Sequence, residues 1–434
     1  MNKTQKSPKI FFGWWTVLAC GLAGFVAVGF GNMAFSVLFK PIATDLGLDR
    51  AITSIAAGMQ SAVGGILILA GGWASDKYGP RRVMMVGAVT LGLGCMSMYF
   101  VNSLWSLLFA WGILVGGGFM LGFTIIMDRA IINWFVKKSG VALNIKFGIQ
   151  SLAGLLLLPL VALLVLNHGW RITCVIAGIV IFAVTIPLTW FFVKPQRPEF
   201  YGLTPDGIAP STKENQSTRK LNNTPENEET NLTVKQTTKT SAFWLIIIIQ
   251  IFSAIGATMM SAHFVPFLTD RGIAPVQAAS MMGLLITVGI PARLAAGFIT
   301  DRVKMGYLRF LMAAGIFLQA TGIFIFLAGQ STGTIYVWLL LYSVGAGLSS
   351  GVNLPMQARY FGRKSFGSIM GLSSLLQMPA GLVAPSVVGW AYDSSHSYDS
   401  IIVLIAVLLC VSGVITCFIR RPAVPALATS TLPV

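Results

Sequence analysis

The chain has 434 residues, of which 55% are hydrophobic and 10% are charged, and its mean hydropathy is +0.77. This composition excludes a soluble globular domain, in which about a quarter of the residues are charged, and indicates a membrane protein. Lysine and arginine number 30 against 14 acidic residues, and membrane topology explains this excess without a nucleic-acid partner.

Twelve apolar stretches are each long enough to cross a bilayer as a helix, which takes about 20 residues. In chain order they cover residues 12–36, 53–73, 82–101, 104–133, 142–166, 171–193, 242–267, 276–299, 308–328, 334–356, 366–390 and 400–419. The stretch between the sixth and seventh is rich in Asn, Thr, Glu and Lys, which predicts a disordered linker. We therefore predict a six-helix bundle over 1–193, a cytoplasmic linker over 194–240, and a second six-helix bundle with a short tail over 241–434.

The basic residues outside the spans are distributed unequally between the two sides of the membrane. Most lie on the side that holds both termini and the linker. The other side holds Lys40, Arg50, Arg171 and Arg271. The positive-inside rule then places both termini and the linker in the cytoplasm, with the protein in the plasma membrane, the inner membrane of a bacterium. The remaining basic residues lie within the spans, and they are Arg129, Lys146 and Arg293.

The cysteines lie inside apolar spans without disulfide or metal-site spacing. They are Cys20, Cys95, Cys174, Cys410 and Cys417. The sequence contains no recognisable constellation of nucleophile, metal ligands or cofactor-binding residues. We therefore expect no enzyme activity, no metal and no cofactor.

Two loops at equivalent places in the halves share one pattern. They are "GGWASDKYGPRR" at 71–82 and "AGFITDRVKMGYLR" at 296–309. Each contains a glycine followed four residues later by an aspartate with an adjacent base, which indicates an internal repeat. Glycine permits close helix approach, and a carboxylate can cap or bridge a neighbouring helix end. We predict a conformational latch formed by Gly72, Asp76, Gly79, Arg81, Arg82 and Asp301.

With its twelve spans, polar central linker and first loop, the chain resembles the major facilitator superfamily. Five segments in order resemble the monocarboxylate porters and the bacterial oxalate:formate antiporters within it. They are "FGWWTVLAC", "HGWR" at 168–171, "RPEFYGLTPDG" at 197–207, "HFVPFLTDRG" at 263–272 and "APSVVGWAYD" at 384–393. The resemblance implies an all-α fold of two pseudo-symmetric six-helix bundles.

Arg293 is the strongest candidate for substrate binding. It precedes Asp301 by eight residues, which places it about 12 Å into the membrane at the rise of a helix. The equivalent position in the first half is Ile68, so the repeat itself requires no charge there. The resemblance implies that an arginine on the eighth span binds the substrate carboxylate. A guanidinium suits that role because it is always charged and can bond both carboxylate oxygens.

The chain departs from the family pattern at two positions. Many monocarboxylate porters have an acidic residue four positions before that arginine, where this chain has Gly289. They also tend to have a lysine in the first span, where this chain has Met33, with Lys40 nearer the outer end. These departures argue against the usual symport of protons with lactate.

A second group of polar residues lies on the fourth and fifth spans. Asp128 and Lys146 fall at similar depth, about 12 Å inside, with Arg129 beside the first and Gln150 one turn after the second. Three hypotheses remain open for this group. The first is a structural pair of Asp128 with Lys146. The second is an anion contact in which Lys146 or Arg129 complements Arg293, and the third is a protonatable Asp128 whose pairing changes during transport.

Other polar residues lie on spans that line the central cavity in this superfamily. Asn32 and Asn353 are candidates for substrate contact or for hydrogen bonds between helices. His263 lies near the outer end of the seventh span, so we expect it to order a gate more readily than to bind substrate.

These patterns predict a secondary active transporter of small organic carboxylate anions that works by alternating access. Protons or a counter-anion would drive the transport. We expect the protein to be embedded in the lipid bilayer and to function as a monomer. The in-span charge is net positive, which favours anions. Two alternatives are a transporter-like receptor for a metabolite and an efflux carrier of another organic solute.

Overall fold

The structure is a computed structural model that describes residues 11–135, 139–196, 198–201, 232–329, 331–362 and 366–422. Within these ranges the regular structure is helical and includes no strand. Eleven of the described helices are long and apolar enough to cross a membrane. The all-α prediction is therefore confirmed.

The spans follow the predicted order. They are α1 (Phe12–Leu46), α2 (Arg50–Tyr78), α3 (Pro80–Ser97), α4 (Leu104–Ile132), α5 (139–168), α6 (170–192), α7 (Ser241–Asp270), α8 (Pro275–Arg302), α9 (Leu308–Gly329), α10 (Thr332–Phe361), α11 (Phe366–Ser395) and α12 (Asp399–Phe418). We call α1–α6 the first half and α7–α12 the second half.

The helices α5 and α6 form one helical run, Ser139–Phe192, which is broken at Gly169. This glycine has a φ of 77° and a ψ of 164°, a conformation that residues with a Cβ rarely adopt. The run contains 54 residues, well over twice what one crossing needs. Counting it as two spans gives the twelve that the sequence predicts and that the major facilitator fold contains.

Two ends of the bundle can be distinguished by their loops. The linker face is the end that contains Gly79, Val303 and Gly362, and the far face is the end that contains Gly47, Gly169 and Gly272. Most of the predicted linker lies outside the described residues. At its end, the Leu232 N–H donates to the Phe361 carbonyl at 3.0 Å, which attaches this part of the chain to α10.

Equivalent helix pairs in the two halves pack through glycines. A Cβ added at Gly87 of α3 would lie 2.5 Å from the Cα of Gly122 on α4. A Cβ added at Gly345 of α10 would lie 2.4 Å from the Gly315 carbonyl oxygen on α9. Small residues permit such backbone contact, which stabilises helix pairs in a bilayer. The repeat suggested by the two loops therefore extends to the packing.

The first helix of each half contains a π-helical segment near its middle. The segments are Gly29–Met33 in α1 and Met259–His263 in α7. They place Met33 and His263 at equivalent positions, each the last residue of its segment. Segments of this kind occur often at functional sites because they shift the direction of the side chains that follow.

The halves meet along two seams, α2 with α11 and α5 with α8. Toward the far face the seams are tight. A Cβ added at Gly58 would lie 2.2 Å from the Leu382 carbonyl oxygen, and a Cβ added at Gly283 would lie 2.2 Å from the Gly154 carbonyl oxygen. Toward the linker face, one glycine on each of the same four helices has open space beside it. A Cβ would meet nothing within 4 Å at Gly72, Gly148, Gly297 and Gly371.

Candidate functional site

Arg293 lies on α8 where this helix contacts α10. A Cβ added at Gly351 of α10 would lie 2.7 Å from the Arg293 carbonyl oxygen, so the backbone is held closely at this level. The arginine is exposed, and its Cζ lies 5.5 Å from the centroid of the Phe147 ring on α5. Its guanidinium is therefore accessible and lies beside the seam between the halves.

Gly289, one turn before Arg293, has a structural reason to lack a side chain. A Cβ there would lie 2.8 Å from the Ser343 carbonyl oxygen on α10. A Cβ at Gly347 would in turn lie 2.1 Å from the Gly289 carbonyl oxygen. The acidic residue that many monocarboxylate porters have at this position would not fit without separating α8 from α10.

The structure brings Asp128 and Lys146 together. The Lys146 Nζ lies 2.5 Å from an Asp128 carboxylate oxygen. Lys146 is 1% exposed, whereas the Asp128 side chain is 28% exposed. The lysine is thus held inside the protein, and its carboxylate partner lies at the edge. Without that carboxylate, the buried charge of the lysine would be costly.

A break in α4 positions Asp128. Thr124 has a φ of −110° and a ψ of −112°, which ends one helical segment, and the segment Ile125–Ile132 follows. Asp128 falls in the first turn of this new segment, where the positive end of the helix dipole favours a carboxylate. Arg129 follows it and is half-buried.

Lys146 and Gln150 project from α5 into the first half. A Cβ added at Gly24 of α1 would collide with the Gln150 amide, and the Gln150 Nε2 lies 3.6 Å from the Met127 sulfur on α4. Both polar residues are buried. Of the predicted cluster, this geometry places Lys146 with Asp128 and leaves Arg293 on the other half.

The two predicted asparagines have different surroundings. Asn32 lies in the π-helical segment of α1 and is half-buried. Asn353 accepts a hydrogen bond from the Gln357 Nε2 at 2.9 Å, one turn along α10. Sequence reasoning missed a third polar pair, in which the Gln377 Nε2 of α11 donates to the Gln250 Oε1 of α7 at 2.7 Å. The sequence signal for this pair was a polar glutamine within each of these two apolar spans.

His263 is fully buried in the half of α7 that leads to the far face. Its Nε2 lies 3.1 Å from the Ser54 hydroxyl and 3.2 Å from the Pro385 carbonyl oxygen, and its Nδ1 lies 3.1 Å from the Tyr398 hydroxyl. A carbonyl only accepts, so we assign the proton to Nε2, with Nδ1 accepting from Tyr398. Burial raises the pKa of the Tyr398 phenol, which keeps this donor protonated.

Around His263 lies a group of polar contacts between the halves, which we call the far-face clasp. Its members are Lys40, Arg50, Asp270, Asp393 and Tyr398. The Arg50 guanidinium donates to the two Asp270 oxygens at 2.7 and 3.1 Å, and it donates to the Tyr398 hydroxyl at 2.7 Å. The Lys40 Nζ lies 2.6 Å from Asp270.

Asp393 accepts from the backbone N–H groups of Arg50 and Ala51, at 3.2 and 2.8 Å, and so caps α2 from the other half.

Part of the predicted latch lies within the described residues. Gly79 turns the chain between α2 and α3 with a φ of 82°, and Pro80 begins α3. The Arg81 Cζ lies 4.0 Å from the Trp190 ring centroid on α6, and Arg82 is exposed. The side chains of Asp76 and Asp301 lie outside the described part of the chain. Within the described part, no three His, Cys, Asp or Glu residues are grouped to hold a metal.

Comparisons with known proteins agree with this architecture. The family model of the Major Facilitator Superfamily matches residues 21–385. The chain is 24% identical over 416 residues to the uncharacterized MFS-type transporter YcxA of Bacillus subtilis, with 92% of this chain and 94% of that protein covered. It is 24% identical over 415 residues to monocarboxylate transporter 4 of Rattus norvegicus, with 92% and 81% covered.

The fold is also similar to a solved structure, that of a bacterial homologue of the human lysosomal transporter Spinster. The TM-score is 0.69 at 14% sequence identity, with 95% of each chain covered. The resemblance inferred from the motifs is confirmed, with monocarboxylate transporters among the relatives. The chain belongs to the Major Facilitator Superfamily and is a multi-pass membrane transport protein for a small-molecule substrate.

Proposed function

We propose that this protein carries small organic carboxylate anions across the membrane by alternating access, as a proton symporter or an anion exchanger. The observation that carries this proposal is Arg293, an exposed guanidinium deep within a span and next to the seam between the halves. Placing a charge at such a depth in a bilayer costs on the order of 3 kcal/mol or more. An anionic substrate that binds there would offset part of this cost.

The binding geometry supports a carboxylate over other anions of similar size. A guanidinium presents two parallel N–H donors that match the two oxygens of a carboxylate. The α8 backbone is held against α10 at Gly289 and Gly351, so these donors are mounted on a firmly packed helix. This packing fixes where the Arg293 side chain starts on the second half.

The packing of the seams supports alternating access. Near the far face the halves are joined by tight glycine contacts and by the far-face clasp, whereas near the linker face the seam helices have open space. We infer a state in which the site opens toward the linker face. The basic residues on that face would make it cytoplasmic in a plasma membrane, and the residues of the predicted latch would hold it closed in the opposite state.

The direct test is transport by purified protein in proteoliposomes. Uptake of labelled pyruvate, lactate, formate and oxalate is measured with a pH gradient alone and with unlabelled anion inside. We expect saturable uptake of at least one carboxylate. Binding without flux would favour the receptor, flux of only non-carboxylate solutes would favour the efflux carrier, and either result would contradict the proposal.

Arg293→Lys tests the residue that carries the proposal. The substitution keeps the charge but removes the paired donors, so we expect the KM for the transported carboxylate to rise at least tenfold, about 1.4 kcal/mol of binding. Arg420→Lys, at an exposed position after α12, is the matched control and should leave transport unchanged. Undiminished transport by Arg293→Lys would remove Arg293 from the site.

A further inference from the structure

Phe147 lies close to one cation from each half. Its ring centroid is 3.6 Å from the Lys146 Nζ and 5.5 Å from the Arg293 Cζ. Both distances fall within the range in which a cation is attracted to an aromatic face. Phe147 is 37% exposed, so part of its ring is accessible beside the arginine.

The contact determines what surrounds a carboxylate bound to Arg293. The guanidinium carbon lies 5.5 Å from the ring centroid, so a carboxylate that bonds the N–H edges of Arg293 has its substituent within reach of Phe147. An apolar substituent would pack on the ring and lose little by leaving water. A second carboxylate would lose its hydration next to the negative face of the ring without gaining a hydrogen bond.

Lys146 does not compensate for this cost. It lies near the same ring, but its ammonium is bound to Asp128 at 2.5 Å and the residue is 1% exposed. A second carboxylate could reach it only by entering the protein interior beside Asp128, where losing the hydration of its charge is costly. The nearest cation to Phe147 is therefore already neutralised from within the first half.

The position of the ring relative to Arg293 is determined by the helices that carry them. On the same seam, toward the far face, α5 and α8 are in backbone contact at Gly154 and Gly283. Toward the linker face, Gly148 and Gly297 have open space. Closure of that side would move the two helices together around this contact and press the ring further over the bound substrate.

We propose that Phe147 determines substrate specificity by selecting small monocarboxylates with an apolar substituent against dicarboxylates. This inference rests on the proposed function, because it requires that Arg293 hold a carboxylate. In this proposal the first half contributes selectivity through Phe147, and the second half contributes the binding charge through Arg293.

The test compares pyruvate with malonate and oxalate in the proteoliposome assay, for the wild type, Phe147→Asn and Phe147→Ala. We expect the wild type to prefer pyruvate. Both variants remove the ring, and we expect the ratio of dicarboxylate to pyruvate transport, as kcat/KM, to rise about tenfold. Phe147→Leu keeps an apolar wall, so it should keep the preference while the KM for pyruvate rises several-fold through the lost cation–π contact.

Phe298→Asn is the matched control, since this phenylalanine lies on α8 near Arg293 and is 70% exposed. It should leave the ratio unchanged. An unchanged ratio in whichever of Phe147→Asn and Phe147→Ala folds and transports would overturn the inference while leaving the proposed function intact, as would a wild type that prefers a dicarboxylate. Absence of carboxylate transport by the wild type would instead refute the proposed function.

Discussion

Arg50 and Asp270 form a two-point ion pair across the boundary between the halves, with nitrogen–oxygen distances of 2.7 and 3.1 Å. The residues belong to α2 and α7, and Lys40 binds the same carboxylate from α1. A bidentate arginine–carboxylate pair is stronger and more directional than a single ionic contact. Asp270 therefore binds two cations of the first half and is a central contact of the far-face clasp.

Asp270→Asn should weaken the far-face clasp and shift the carrier toward opening at that face. The amide keeps the shape but loses the charge that attracts Arg50 and Lys40. A cysteine substituted for Ser36, which is buried and accepts from the Val265 N–H at 3.3 Å, would report opening. In a background without other cysteines, we expect its labelling by a membrane-impermeant maleimide to increase several-fold.

Asp45→Asn is the control for this experiment. Asp45 also lies near the far face and pairs with an arginine, Arg171 at 2.5 Å, but both residues belong to the first half. Its substitution should not change the labelling. Equal labelling with Asp270→Asn and Asp45→Asn would show that the clasp does not hold the far face closed.

Gly289→Glu should destabilise the protein and should not introduce proton coupling. Even a Cβ at this position would lie 2.8 Å from the Ser343 carbonyl oxygen, so the added side chain must push α8 away from α10. Overpacking of this kind costs about 1–3 kcal/mol. Thermal unfolding in detergent measures the effect, and Gly148→Ala, where a Cβ meets nothing within 4 Å, is the neutral comparison. Wild-type stability for Gly289→Glu would contradict this packing.

Asp128→Asn should destabilise the protein more than Lys146→Met does. The first change leaves a 1% exposed lysine without its counter-charge, which costs about 3–5 kcal/mol. The second leaves a carboxylate that is 28% exposed and can be hydrated. The double variant should be more stable than Asp128→Asn alone, and thermal unfolding of the four proteins gives the coupling energy. Additive effects would show that the pair does not contribute to stability.

The same aspartate distinguishes the coupling modes. If Asp128 carries a proton during transport, Asp128→Asn abolishes uptake driven by a pH gradient and retains exchange of internal for external anion. The proton-carrying hypothesis predicts this split because Asp128 is an acidic residue within a span and is partly accessible. Retention of both activities would leave the pair with a structural role, and both are measured in the proteoliposome assay.

The course of the twelve spans could be predicted from hydropathy, because each crossing of a bilayer needs about 20 apolar residues whatever surrounds it. The depth of Arg293, Asp128 and Lys146 followed from the helical rise, since each lies a known number of residues from a loop. The apposition of Asp128 and Lys146 was foreseeable for that reason, although their burial was not.

Contacts between the halves could not be predicted in this way. Arg50 and Asp270 are 220 residues apart in the chain, and in the sequence Arg50 indicated only which side of the membrane it lies on. Phe147 was one apolar residue among many until its ring was located beside Arg293. Gly289 stood out as a departure from a family pattern, and its close contact with α10 gave the reason.

The sequence by itself determined the number of crossings, their order, and which charges lie within the membrane, because the bilayer imposes length and polarity on each segment separately. Only the tertiary structure decided which of those charges meet. That outcome depends on how helices from two halves pack along the α2–α11 and α5–α8 seams. There, glycines and single side chains set distances of a few ångströms that no local pattern encodes.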